Sequence, residues 1–266
     1  MQLRSPAPET RALLVLEQLA VRADGLGAQR QIEGVTGNLR SGDFWVVCGA
    51  HGSGKSALLF TLAGLQTPAA RRLWSDGREV AAFSVEDEVR YRRRIGLVFE
   101  NGGRLFHRLT VLENVALPLC YHENQTLDEA RPRAEGLLAA LDLLEWAHTT
   151  PGRLRPATRP RVALARALIS QPDVLLLDDP VAGLDAPETR WWRETLRGLA
   201  AGGALTGGRA LALVVTTHEL ELWAGLGTRF VRLQEGRWTP VSDREGFLAV
   251  ADPRVREGLA GGEPGG

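Results

Sequence analysis

Short apolar runs alternate with polar, glycine-bearing breaks along the chain. Residues 12–21 and 32–39 are apolar-rich and predict two strands, with the polar, glycine-rich segment 22–30 as the turn between them. A turn at 40–43 leads into a buried strand over 44–48. A glycine-rich loop follows over 49–56, and then an apolar stretch, 57–65, that predicts a buried helix. Asp76-Gly77 centres a predicted hairpin over 71–80. Ser84, with Asp87 three residues on, marks a helix start. That helix runs into the basic segment 91–94, which suits a solvated helix end facing the dipole, and a strand over 95–99 comes next.

From about 100 to 160 the pattern changes to helices and loops. Thr110 caps a helix expected to run through Leu117 and stop at Pro118. Residues 127–144 predict a helix with apolar positions at Leu137, Leu138, Leu141 and Leu144, and 161–169 predict another. Beyond it come a buried strand at 174–177, a helix at 187–199, a glycine-rich loop at 200–209 and a strand at 210–216. A helix at 219–226 and a strand at 230–233 complete the series, and 258–266 reads as a flexible tail. Strands alternating with helices imply an α/β protein with a mostly parallel sheet, into which 100–160 is inserted.

Composition narrows the function. The 266 residues carry 32 basic and 32 acidic side chains, which disfavours a protein that binds nucleic acid by charge. Two cysteines, Cys48 and Cys120, supply neither a disulfide framework nor a zinc site. No apolar stretch approaches the ~18–20 residues of a membrane span. Arg4, Pro6, Pro8 and Glu9 interrupt the N-terminus where an export signal needs an apolar core, so a cytoplasmic location is expected. One lysine occurs in the chain, Lys55.

That lysine lies in Gly49-Ala50-His51-Gly52-Ser53-Gly54-Lys55-Ser56, which fits G-x-x-x-x-G-K-[ST] directly after a predicted strand and before a helix opening at Ala57. Glycines let such a loop curl so that its N–H groups point at phosphate oxygens. The helix N-terminus adds its dipole, Lys55 reaches the β- and γ-phosphates, and the Ser56 hydroxyl ligates Mg²⁺. The strand Val174-Leu175-Leu176-Leu177 ends in Asp178 and Asp179. Asp178 is placed to hold Mg²⁺ through oxygen ligation, and Asp179 to polarise an attacking water.

Further landmarks follow in order: Ile95-Gly96-Leu97-Val98-Phe99-Glu100, Arg161-Val162-Ala163-Leu164-Ala165-Arg166-Ala167-Leu168, Gly183-Leu184-Asp185 and Val214-Val215-Thr216-Thr217-His218-Glu219. With the phosphate loop they resemble the ATP-binding cassette (ABC) ATPases over roughly residues 11–240. The resemblance implies a phosphate-loop (RecA-like) core, an N-terminal antiparallel β-subdomain and an inserted helical subdomain over about 100–160. Residues 1–10 then form a tail and 241–266 an extension. It also implies ATP and Mg²⁺ as ligands, His218 at the γ-phosphate and the attacking water, and Asp185 where two such domains meet. The implied partners are a second ATP-binding domain, identical or different, and integral-membrane permease subunits docking near Glu100 and the helical insertion. The chain then sits on the inner face of the cell membrane.

The sequence departs from that family in places. Leu154-Arg155-Pro156-Ala157-Thr158 stands where the family signature reads Leu-Ser-Gly-Gly-Gln, so the serine hydroxyl and the glycine approach to phosphate are lost. Thr158 is expected to cap the following helix, with Pro160 in its first turn. Asp179 stands for a glutamate and is one methylene shorter. Glu100 stands for a glutamine, and beside a γ-phosphate its carboxylate must bind Mg²⁺ or a proton. No aromatic residue lies between Val21 and Phe44 to stack on adenine. These changes imply weak or asymmetric hydrolysis. The alternative is a degenerate nucleotide-binding module with a structural or regulatory role beside an active paralogue. Residues 103–119 resemble the corresponding segment of the Mla/MCE lipid-transport ATPases, and methionine-type importers carry a similar stretch, so phospholipid is the expected cargo.

Overall fold

The computed structural model describes residues 11–25, 28–70 and 72–241. The tail over 1–10, the expected extension beyond Val241 with its glycine-rich end, and Arg71 lie outside them. Among the described residues, ten strands form one sheet. They are β1 (Leu14–Gly25), β2 (Ala28–Leu39), β3 (Phe44–Cys48), β4 (Leu73–Ser75), β5 (Arg78–Glu79), β6 (Ile95–Val98), β7 (Val174–Asp178), β8 (Ala212–Thr217), β9 (Arg229–Gln234) and β10 (Arg237–Val241), in the order β5-β4-β1-β2-β10-β9-β3-β8-β7-β6. The run β9-β3-β8-β7-β6 is parallel throughout. The β1–β2, β1–β4, β4–β5 and β9–β10 pairs are antiparallel, and a parallel bridge at Arg237 and Glu33 joins the two parts. The architecture is therefore the α/β arrangement expected, with its antiparallel N-terminal flank.

The central strands are apolar on both faces because each face meets a different core. Phe44 and Val46, Leu175 and Leu177, and Leu213 and Val215 point to one cluster. Trp45 and Val47, Val174 and Leu176, and Ala212 and Val214 point to the other. The second cluster takes in β1, β2 and the buried face of α1 (Lys55–Leu62). The first takes in the helices α3 (Val111–Glu123), α4 (Leu127–Ala140), α5 (Thr158–Leu168) and α6 (Ala186–Ala201). The remaining helix, α2 (Val85–Arg93), starts as expected: the Ser84 side chain accepts from the Asp87 N–H at 3.2 Å.

Several local expectations yield to tertiary packing. The turn expected over 22–30 is strand at both ends. β1 continues to Gly25 and β2 begins at Ala28, with Val21 opposite Ile32 and Ala23 opposite Arg30. The hairpin extends because Val21, Ala23 and Ile32 bury their side chains in the second core. Pro118 does not end α3, which runs to Glu123. An interior proline costs about 3 kcal/mol, but Val111, Leu112, Val115, Ala116 and Leu119 are buried along this helix, and burying one leucine is worth about 1.5–3 kcal/mol. α4 stops at Ala140, because Asp142 turns to φ +58°, and Leu144 begins a separate short turn. The segment 219–226 forms only a single 3₁₀ turn over Leu220–Trp223. The chain must then pass so close to β9 that a Cβ on Gly227 would lie 2.5 Å from the Phe230 ring. β10 has no counterpart in the sequence reading. Within the loop at 200–209, Arg209 donates to Asp173 at 2.5 Å and to the Gln171 and Pro172 carbonyls, which ties the start of β8 to the start of β7.

Thr110 caps α3 reciprocally. Its hydroxyl accepts from the Glu113 N–H, while its own N–H and hydroxyl donate to Glu113 at 2.6 and 2.8 Å. These bonds hold the Glu113 carboxyl below the usual carboxylate range. Thr110→Ala is expected to cost about 1–2 kcal/mol in urea unfolding at neutral pH. A depressed carboxyl stabilises the fold above its unfolded pKa. The Glu113 share of the loss should therefore shrink as pH falls through its lowered value.

Candidate functional site

The C-terminal ends of the parallel strands converge on one cavity, the place where such sheets bind ligands. β3 ends at Cys48, and the loop 49–54 turns the chain directly into α1. Gly54 forms the N-cap at φ +97°, where a Cβ would lie 2.8 Å from Ile32 and 2.9 Å from Ala23. Only glycine fits both demands. No side chain caps α1 and no acidic residue occupies its first turn. Its N-terminal amides are therefore suited to an anion. The Lys55 Nζ donates to the carbonyls of Gly49 at 2.7 Å and Ala50 at 3.0 Å, folding the ammonium back across the loop. Gly49 is tied to Thr217, and Ser53 to Ala50, through their backbones.

The cavity is about 660 Å³ and brings together His51, Gly52, Gly54, Lys55, Ser56, Ala57, Glu100, Asp178, Asp179 and His218. Gly49, Ala50 and Ser53 complete the loop without lining it. Ala23, Phe60 and Gln66 also line it, and no motif singles them out. Phe60 rests on Phe99 with ring centroids 5.6 Å apart, and Gln66 donates its side-chain amide to the Arg22 carbonyl.

Strand register sets the acidic end of the site. Asp178 of β7 pairs with Thr216 of β8, and the Thr216 hydroxyl donates to Asp178 Oδ1 at 2.7 Å. Thr216 also accepts from the Asp179 N–H. Asp179 takes φ +41°, and its Oδ2 lies 2.5 Å from His218 Nδ1. Burial pushes the Asp179 carboxyl up, against the pull of His218 and Lys55.

Ser56 and Asp178 offer a hydroxyl and a buried carboxylate on the same cavity. Among the described residues no three His, Cys, Asp or Glu side chains form a metal cluster by themselves. That donor set fits Mg²⁺, which takes few protein oxygens and completes its shell with water and phosphate. The Ser53 hydroxyl, buried in the loop without a partner, and the uncapped α1 fit a phosphate chain. When bound, Mg²⁺ would neutralise phosphate charge, with Ser56 and Asp178 holding it.

Glu100 opens a short 3₁₀ turn over Glu100–Gly102. Gly102, at φ +64°, abuts the first turn of α5 so closely that a Cβ would lie 2.4 Å from Arg159 C and Pro160 N. Arg155, Pro156, Ala157, Thr158 and Asp185 lie outside the lining of the cavity. Arg155 and Pro156 are exposed. Thr158 does not cap α5: the cap position falls on Ala157, whose side chain has no acceptor, and Thr158 is already in the first turn. Asp185 caps α6, accepting from the Glu188 N–H at 3.0 Å.

Fold and site together define a phosphate-loop nucleotide-binding domain. The family model described as ABC transporter matches residues 32–182, and the chain belongs to that family as an ATP-binding domain. It is 35% identical over 226 residues to the probable sulfate/thiosulfate import ATP-binding protein CysA of Chlorella vulgaris, covering 84% of this chain and 88% of that protein. It is 36% identical over 211 residues to the lipoprotein-releasing system ATP-binding protein LolD of Pseudomonas syringae pv. tomato, covering 77% and 87%. The chain spans 61% of the methionine import ATP-binding protein MetN of Caulobacter vibrioides, 35% identical over 79% of this chain. Among solved structures it resembles the dimeric, post-hydrolysis form of the ATP-binding cassette MJ0796 bound to ADP and Pi, with a TM-score of 0.73, 28% identity and coverage of 85% and 96%. Among the described residues no helix is long and apolar enough to cross a membrane.

Proposed function

We propose that this chain is the ATP-binding subunit of a membrane transporter, seated on the inner face of the membrane through integral permease subunits and paired with a second ATP-binding domain. The observation that carries this is the convergence of the phosphate loop, Asp178, Asp179 and His218 on one cavity, with the segment 155–158 and Asp185 outside its lining. In this reading Lys55 and the loop amides bind the phosphates of ATP, and Ser56 and Asp178 hold Mg²⁺. Asp179, oriented by His218, takes the proton of the attacking water. Glu100 contributes to the metal shell. Residues 155–158 and Asp185 approach the nucleotide of the partner domain.

The two halves contribute unequally. The phosphate loop retains every group its chemistry needs, whereas Arg155-Pro156-Ala157-Thr158 lacks a serine hydroxyl and a glycine backbone approach. Asp179 is a methylene short for its water, and misplacement by an ångström costs about 100-fold. We therefore read the subunit as one that binds ATP well and turns it over slowly. Phospholipid is the proposed cargo, on the likeness of residues 103–119 alone. The relatives above are named for sulfate/thiosulfate import (as probable), methionine import and lipoprotein release.

The test is phosphate release by the purified chain and by the chain co-purified with its membrane partner and reconstituted in vesicles. Turnover should be low alone and rise about tenfold or more in the complex. No ATP binding by the pure chain would reject the reading. Turnover unaffected by phospholipid in the vesicles would reject the cargo.

A further inference from the structure

The contact between Arg161 of α5 and Glu188 of α6 plays no part in the cavity. Arg161 donates through Nε and Nη2 to Glu188 Oε2 at 3.0 and 2.7 Å. Its guanidinium carbon stands 3.9 Å from the centroid of the Trp191 ring. The arginine side chain is 15% exposed and the Glu188 side chain 28%, so the contact is screened by water and salt less than a fully exposed pair is.

Its position in the chain gives the contact meaning. Arg161 lies one helical turn after Thr158, at the start of a helix that has no side-chain cap and no acidic residue in its first turn. Glu188 lies in the first turn of α6, and its N–H is held by the Asp185 side chain. A continuous path therefore runs from Asp185 to the Glu188 backbone, through its carboxylate to Arg161, and into the helix that begins at Thr158. On the other side, the same first turn of α5 rests against Gly102, next to the cavity-lining Glu100.

We propose that Arg161 is a positioning residue that locks the segment 155–158 to Asp185, so that both meet a partner domain as one rigid unit. The role of that unit as an interface rests on the proposed function; the locking does not. A planar guanidinium is required because one group must donate twice to Glu188 and stack on Trp191, which a lysine ammonium cannot do.

Spin labels at Arg155→Cys and Ala186→Cys, in a chain with Cys48 and Cys120 replaced by serine, report the locking directly. The distance distribution should be narrow with Arg161 present. It should broaden about twofold in Arg161→Lys and in Glu188→Gln, with no further broadening when the two are combined. Unchanged distributions overturn the proposal. Calorimetry with Mg·ATP and sedimentation of the same variants supply the second reading. ATP affinity of the single chain should stay within about twofold while ATP-dependent association weakens about tenfold. Loss of ATP affinity in parallel with a lowered Tm would reduce Arg161 to a general stabiliser and overturn the proposal as well. A wild-type chain that binds ATP, shows the narrow distribution and never associates would keep the locking and remove the interface reading instead.

Discussion

Lys55→Ala is expected to weaken ATP binding by about 100-fold or more, because a charge-assisted contact to a phosphate chain is lost inside a partly enclosed site. The Nζ now donates to the Gly49 and Ala50 carbonyls, within the loop. Phosphate oxygens offer the ammonium a stronger partner than two neutral carbonyls, so nucleotide should draw it off them. Lys55→Arg should fare little better. The planar fork is too large for the space a compact ammonium occupies between phosphates. Calorimetric titration with Mg·ATP measures the effect. A thermal melt without nucleotide serves as the control, and it should move little because only two loop bonds depend on this side chain. Retained affinity in Lys55→Ala would remove the phosphate-binding assignment.

Asp179→Asn is expected to lower ATP turnover in the assembled complex by about 100- to 1,000-fold while leaving nucleotide binding in place. An amide keeps the size of the carboxylate and its contact with His218, but it cannot take a proton. The carboxyl is pushed up by burial, and a base works only when ionised. The rate should therefore fall, as pH drops, at a higher pH than an ordinary aspartate would give. That acid limb should be absent from the residual rate of the variant. Phosphate release across a pH series tests both statements. Turnover unchanged by the substitution would assign hydrolysis to the partner domain alone.

Much of the site is legible in the sequence where its chemistry is contiguous. The phosphate loop occupies eight consecutive positions after the apolar strand Phe44–Cys48, and the acidic pair directly follows Val174–Leu177. Contacts between distant residues are not legible in this way. Asp179 meets His218 across 39 positions only because Asp178 and Thr216 are partners in the sheet. Arg161 and Glu188, 27 apart, meet because the starts of α5 and α6 lie side by side. Two of the misread elements share a cause. Glycine and proline act locally on the backbone, but at Gly25 and Pro118 strand pairing and core burial outweigh them. Thr158 fails for the opposite reason: helix α5 starts a residue earlier than a threonine cap requires.

The lysine folded across its own loop has a practical side. A reagent that acylates side-chain amines finds a single target in this chain, and it lies on the wall of the nucleotide cavity. Nucleotide occupancy would then be written covalently as protection of one amine, readable by mass alone. The protein thus carries its own footprinting probe, with no other lysine to blur the signal.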